Sequence, residues 1–316
     1  MPFAVETQLP GPVVAIGSER RLRRGTVRDR GRRLTIGLVN NMPDGALEAT
    51  ERQFARLLVD ASGEWDVRLI LFTLDSVSRD PRIRPLIAER YRPAWRLPTL
   101  APDALIVTGA EPRTPGLREE AYWSEFERLL TWAAAAPVSN LFSCLAAHAA
   151  VLAWDEIERR RLPHKLSGVF NTEIRASHEL LAGFESGFTA PHSRLNTLEA
   201  NDLRAAGYEI LAASDDTGPD IFIRQSKGLH VFLQGHPEYD ADTLGREYRR
   251  DRLRYARGQG AEPAPPANYE EPPEGEPPPP PWRNDAVGLY RNWLAAVARR
   301  KQALEPPSFA RARWGG

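Results

Sequence analysis

Four apolar stretches limit the fold more than anything else in the chain: "LTIGLVNNM" from residue 34, "WDVRLILFTL" from 65, "DALIVTGAE" from 103 and "VSNLFSCL" from 138. Each is short and carries few polar positions, the pattern of strands covered on both faces. Helical periodicity separates them. "GALEATERQFARLLVDAS" sets apolar residues 47, 54, 57 and 58 on one face, and "YWSEFERLLTWAAAA" and "AAHAAVLAWDEIERRR" read as two more helices. Strands alternating with helices predict an α/β fold, a parallel sheet with helices on both faces.

Beyond residue 165 the pattern shortens to strands at "YEILAAS", "DIFIRQS" and "LHVFLQGH", with a helix around 241 to 257. Residues 262–281, "EPAPPANYEEPPEGEPPPPP", cannot join a sheet and read as a surface strap before a terminal helix. Eight arginines fall between Arg20 and Arg33 without apolar periodicity. Residues 1–33 therefore read as a disordered Arg-rich extension, 34–300 as a single domain whose fold begins at residue 34, and 301–316 as a tail. With only Lys165, Lys227 and Lys301 as lysines, arginine clusters carry little weight.

Lys+Arg and Asp+Glu balance at 42 each, so no global field recruits nucleic acid or an anionic membrane. One cysteine excludes an internal disulfide and fits a cytoplasmic protein. No apolar run approaches the ~20 residues that span a bilayer. The chain lacks HxxxH, CxxC and a Gly-rich phosphate loop, so neither a metal nor a nucleotide cofactor is expected.

The lone thiol, Cys144 in "NLFSCLAAHAA", lies where a strand hands over to a helix. A parallel sheet places its chemistry at the carboxyl ends of its strands, and the first amides of a helix stabilise a thiolate and an oxyanion. A small buried core residue fits the same context. "FLQGHPEYD" adds a histidine and a carboxylate at i and i+2, His236 and Glu238, which share a side in an extended segment. Glu238 can then orient His236 while His236 faces the nucleophile, a Cys-His-acid triad. An unrelated loop histidine remains the alternative.

"VNNMPDGALEATERQFARLL", "DALIVTGAE" with "YW", "LFSCLAAHAAVL", "HKLSGVF", "APHSRLNTL", "QGHPEYDADTLGREYRRD" and "WRNDAVGLYRNWL" follow one another in this order. Together they resemble the homoserine O-acyltransferase (homoserine O-succinyltransferase) family of methionine biosynthesis, itself similar to class I glutamine amidotransferases. The resemblance covers residues 34 to 296 and implies a flavodoxin-like, class I glutamine amidotransferase-like sheet. It implies Cys144 as nucleophile, His236 as general base and acid, and Glu238 as its orienting partner. The Leu145 amide, with one from "NMPDG", would form the oxyanion hole. Lys165, Ser193, Glu247 and Arg250 match substrate positions, with Arg250 on the acceptor's carboxylate and Glu247 facing its amine. Arg113 falls near the position that selects the acyl group. Glu111, two residues earlier, is expected to point the same way and offset its charge.

The implied reaction moves an acyl group from acyl-CoA, a co-substrate, to the hydroxyl of L-homoserine, with succinyl favoured over acetyl. L-serine or another hydroxy amino acid, or a glutaminase-like hydrolysis on the same triad, are the alternatives. A homodimer is the one macromolecular assembly left open. Departures from the family surround the pockets: Asp44 and Gly45 where lysines are usual, Leu145 for a Trp, His148 for a Gln, and Asn284-Asp285 for Ser-His.

Overall fold

A computed structural model describes residues 4–5, 13–16, 33–185, 187–273 and 278–304. In chain order its elements are β1 (Ala4–Val5), β2 (Val13–Ile16), β3 (Arg33–Val39), α1 (Asp44–Ala61), β4 (Asp66–Thr73), α2 (Arg84–Arg90), β5 (Arg92–Pro93), α3 (Leu97–Leu100), β6 (Ala104–Val107), α4 (Trp123–Ala135) and β7 (Ser139–Ser143). There follow α5 (Leu145–Asp155), β8 (Arg160–Ile174), β9 (Phe188–Thr197), α6 (Ala200–Ala205), β10 (Glu209–Ser214), β11 (Gly218–Gln225), β12 (Leu229–Leu233), α7 (Thr243–Ala256) and α8 (Arg283–Leu304).

Strands β4, β3, β6, β7 and β12 pair in parallel in that order. Numbered by their own succession this is 2-1-3-4-5, the flavodoxin-like order. The apolar runs explain it, because neighbouring residues along each strand enter opposite cores. Ala104 and Ile106 pack with Phe54 of α1 and Trp293 of α8. Leu105 and Val107 pack with Leu130 of α4 and Val151 of α5. Strands β11, β10, β8 and β9 extend the sheet beyond β12, every pair antiparallel, so the whole sheet is mixed.

The structure corrects the expected organisation in four places. The fold does not wait for residue 34: β2 pairs antiparallel with β4, and β1 with β2. Residues 17–32, most of the Arg-rich stretch, lie outside the described residues, as do 305–316 of the tail. The helix expected to run through residue 161 stops at Asp155, where Glu156 turns left-handed (φ 57°) and lets Arg160 enter β8. Residues 160–174 and 188–197, expected to carry motifs but no strands, form a long hairpin.

The proline strap does reach a strand. Ala267 is flanked by prolines on one side only and keeps its N–H, which donates to Ser167 O at 2.8 Å, while Val169 N–H donates to Ala267 O at 2.9 Å. Gly168 (φ 152°) is required there, since a Cβ would collide with the Ala267 backbone. Trp282, 1% exposed, closes the strap by donating its indole N–H to Tyr239 O at 3.1 Å.

Candidate active site

β7 ends at Ser143 and α5 begins at Leu145, which leaves Cys144 as the single residue of the turn. Its backbone takes φ 50° and ψ −109°, a conformation that costs a non-glycine residue about 1–3 kcal/mol and gathers at functional sites. The surroundings hold it there. Cys144 N–H donates to Leu233 O at 2.7 Å, its O accepts from Ala147 N at 2.9 Å, and Ala146 and Ala147 beneath are fully buried. The thiol itself is half-buried at the amino end of α5.

β12, parallel to β7, ends beside it, and the turn that follows carries His236. The ring's Nδ1 lies 2.8 Å from Glu238 Oε1. A carboxylate only accepts, so Nδ1 carries the proton and Nε2 is left for the sulfur. The Cys144 side chain lies beside the same ring. Burial lowers the affinity of His236 for a proton, but the Cys144 sulfur and the Glu238 carboxylate outweigh it and hold the ring well above the usual 6.5. An imidazolium beside a sulfur is the arrangement that favours a nucleophilic cysteine. Tyr239 stacks on the imidazole, ring centroids 4.3 Å apart.

Leu145 lies at the first turn of α5, as expected of an oxyanion donor. Of the residue 41–45 amides expected to include the second donor, two are already engaged. Asn41 N–H is bonded to Thr108 Oγ1 at 2.9 Å and Met42 N–H to Asn40 Oδ1 at 3.3 Å. The loop that reaches Leu145 is the one after β6, where a Cβ on Gly109 would fall 2.5 Å from the Leu145 Cβ.

Beyond Tyr239 three expected residues converge. Glu247 on α7 accepts from Ser193 Oγ and, at 3.4 Å, from Lys165 Nζ. Its second oxygen accepts from the Tyr239 hydroxyl at 2.9 Å. Burial pushes Glu247 up, yet the Lys165 charge, the Ser193 bond, Arg250 and His236 together hold it below the usual range, so it stays ionised. Arg250 lies one turn along the same face of α7, exposed, its Nε donating to Asp251 Oδ1 at 2.9 Å. Asp251 also takes Lys165 at 2.7 Å. An anion and a cation three residues apart match the ammonium and carboxylate of an α-amino acid.

Arg113 stands apart. Its side chain is exposed, and its backbone amide is fixed by Glu120 Oε1 at 2.5 Å. The expected offset between Glu111 and Arg113 is corrected: Glu111 pairs with Arg254 of α7 at 2.8 Å, which ties the β6 loop to that helix.

Sequence reasoning passed over Tyr239, Arg194 and Asp251. The first two lie inside motifs already quoted, "GHPEYD" and "PHSR", and Asp251 adjoins Arg250. Buried Arg194 donates to Asn196 O at 2.7 Å and to Thr217 O, near the Cys144 sulfur. Among the described residues no group of three or more His, Cys, Asp or Glu is placed to hold a metal, and no helix is long and apolar enough to cross a membrane.

The 2-1-3-4-5 sheet, with the cysteine and histidine on turns that leave its fourth and fifth strands, belongs to the class I glutamine amidotransferase-like fold. Solved structures agree on that fold. A glutamine amidotransferase from Methylobacillus flagellatus matches 84% of this chain and 95% of its own (TM-score 0.52, 15% identity). A glutamine amidotransferase from Thermotoga maritima matches 84% and 97% (TM-score 0.50, 14% identity).

Within that fold the family is specific. The homoserine O-succinyltransferase family model matches residues 21–303, and the chain belongs to this family of O-acyltransferases. A homoserine O-succinyltransferase of Methylorubrum extorquens is 44% identical over 298 residues, 85% of this chain and 88% of that one. One of Rhodopseudomonas palustris is 53% identical over 226 residues, 72% of this chain and 68% of that one.

Proposed function

We propose that this chain transfers a succinyl group from succinyl-CoA to the hydroxyl of L-homoserine through a thioester on Cys144, a step of methionine biosynthesis in the cytoplasm. The observation that carries the reading is that His236 lies near two different sets of groups. One set is the thiol on its strained turn; the other is Glu247, whose charge His236 feels, with Arg250 one turn along α7, spaced for an amino acid. The names of the two relatives supply homoserine and succinate.

The Cys144 thiolate attacks the thioester carbonyl of the donor, and the Leu145 amide with the loop at Gly109 stabilises the oxyanion. The carbon–sulfur bond to CoA breaks, and His236 hands its Nε2 proton to the leaving thiolate. CoA departs and the acyl group stays on Cys144. Homoserine then enters with its ammonium on Glu247 and its carboxylate on Arg250. His236 takes the hydroxyl proton, the alkoxide attacks the acyl-cysteine, and the thiolate is released. Glu238 keeps Nδ1 protonated throughout. Acyl-CoA is a co-substrate, and side chains with backbone amides perform every step without a further cofactor.

Intact-mass spectrometry tests this reading. Succinyl-CoA should add one succinyl mass to the wild type and none to Cys144→Ala, and L-homoserine should then discharge it faster than L-serine or water does. Acetyl-CoA acylating faster would reassign the donor, and discharge only by water would make the protein a hydrolase.

A further inference from the structure

Three consecutive amides carry the turn on which His236 stands, and the antiparallel half of the sheet captures all three. Gln234 N–H donates to Asp220 O at 2.9 Å, Gly235 N–H to Asp220 Oδ1 at 2.8 Å, and His236 N–H to Pro191 O at 2.7 Å. Asp220 on β11 is 1% exposed, and His192 on β9, next to Pro191, is 0% exposed. His192 Nε2 lies 3.5 Å from Asp220 Oδ1. Arg194 Nε donates to His192 Nδ1 at 3.4 Å. Guanidinium is an obligate donor, so Nδ1 accepts and the His192 proton sits on Nε2, near the Asp220 carboxylate but without a hydrogen bond to it.

The charges agree with that chain. Burial pulls His192 below the usual histidine range, so it is neutral. Burial pushes Asp220 up, but the bond from the Gly235 amide and the Arg194 charge act against it, and its carboxyl lies below the usual range. An ionised carboxylate in a β-sheet core costs several kcal/mol unless it is paired and bonded, and the acyl-transfer steps use none of these three residues. Gly235 shows how closely the parts meet: a Cβ there would lie 3.0 Å from both Asp220 Oδ1 and His192 Nε2.

We propose that Asp220 is a positioning residue, which with His192 and Arg194 behind it tethers the 234–236 turn so that the His236 ring meets the Cys144 sulfur. The inference rests on the reading of Cys144 and His236 as nucleophile and base. It assigns to the turn a mechanical origin in β9 and β11 that the motif "GHPEYD" does not contain.

Alkylation of Cys144 by iodoacetamide at pH 6, followed by intact mass, tests the tether without any acyl donor, because it reads the thiolate that His236 stabilises. A wild type that alkylates rapidly but accepts no acyl group would sink the proposed function while leaving the tether testable. In Asp220→Ala, alkylation should slow by about 10–100-fold, the cost of an ångström-scale misplacement. Its kcat should fall by a similar factor while both KM values stay within about two-fold. Asp220→Asn keeps an acceptor for the Gly235 amide and should stay within about three-fold of wild type. A folded Asp220→Ala that alkylates at the wild-type rate overturns the tether, as does an Asp220→Asn as slow as Asp220→Ala. If Asp220→Ala does not fold, Gly235→Ala presses on the same two atoms, and an unchanged alkylation rate in that folded variant overturns it equally.

Discussion

The parallel and antiparallel halves of this one sheet differ in what they bury and in what they contribute. In the parallel half, β6 and β7 are buried at every position, with helices on both faces. That half delivers one reactive atom, the sulfur of Cys144, on a turn that its packed surroundings keep strained. In the antiparallel half, β8 is exposed or half-exposed along most of its length. With β9 and α7 it supplies Lys165, Ser193, Arg194, Glu247, Arg250 and Asp251, each in an ion pair or hydrogen bond. His236 leaves β12, the strand that is parallel to β7 on one side and antiparallel to β11 on the other. A dry, rigid half suits a strained nucleophile. A hairpin whose β8 strand lies open along most of its length can keep charges wet enough to meet an amino acid.

The largest expected effect breaks the seam itself. His236→Ala should lower kcat by about 10³–10⁴-fold, the upper range for a general acid–base group, and Glu238→Gln by about 10–10². The double variant should be little slower than His236→Ala, since residues that act as a unit are not additive. Independent, additive losses in a single-turnover assay would separate Glu238 from the base. Next in size, Arg250→Lys should raise the homoserine KM by about 10–10²-fold, because an ammonium cannot reproduce the bidentate fork. Acylation of Cys144 should continue at the wild-type rate. A loss of acylation would move Arg250 to the donor and dissolve the division between the halves.

The same contrast governs what was legible beforehand. The parallel strands announce themselves because burial on both faces leaves unbroken apolar runs, and positions 47, 54, 57 and 58 of α1 are all within 1% of full burial. β8 and β9 were not legible as strands. "RRLPHKLSGVF" alternates poorly because one face meets solvent and the strap, so neither a period of two nor an apolar run survives. The triad residues could be listed from two short motifs, since a strand-end cysteine and an i, i+2 pair have local geometry. Asp220 and His192 could not. Their significance is a meeting of β9, β11 and the 234–236 turn, and nothing in either residue's own neighbourhood signals it.

A smaller effect tests whether donor choice belongs to the parallel half. Arg113 lies on the loop after β6 with its side chain free in solvent, on the same loop as Glu111, which is held by Arg254. If that loop closes over the donor, the guanidinium meets the terminal carboxylate of a succinyl group. Arg113→Glu should then lower the succinyl-CoA to acetyl-CoA rate ratio by about ten-fold while leaving the homoserine KM unchanged, as a like charge facing a carboxylate requires. An unchanged ratio would remove Arg113 from donor selection.

The smallest effect at neutral pH concerns the link between the halves at His148. It lies on α5, is 3% exposed, and its Nε2 is 2.8 Å from Gln234 Oε1 at the end of β12. Gln234 Nε2 donates to Pro219 O, which orients the amide and makes His148 the donor in the first bond. Burial, the largest influence on this ring, drives its pKa from 6.5 down to about 3. Between those two values the unfolded chain binds a proton at residue 148 that the folded chain refuses, so stability must fall as pH falls below 6.5. For one fully buried group the slope is about 1.4 kcal/mol per pH unit. His148→Gln keeps a donor for Gln234 but cannot be protonated. Its urea midpoint should match wild type at pH 7.5 and exceed it at pH 5.5 by the equivalent of about 1.4 kcal/mol. Some acid loss should persist, because His230 is also pushed down, to about 4, and remains. Parallel pH profiles for the two proteins would show that the folded chain admits a proton at His148, and the dry contact between α5 and β12 would then have to be abandoned.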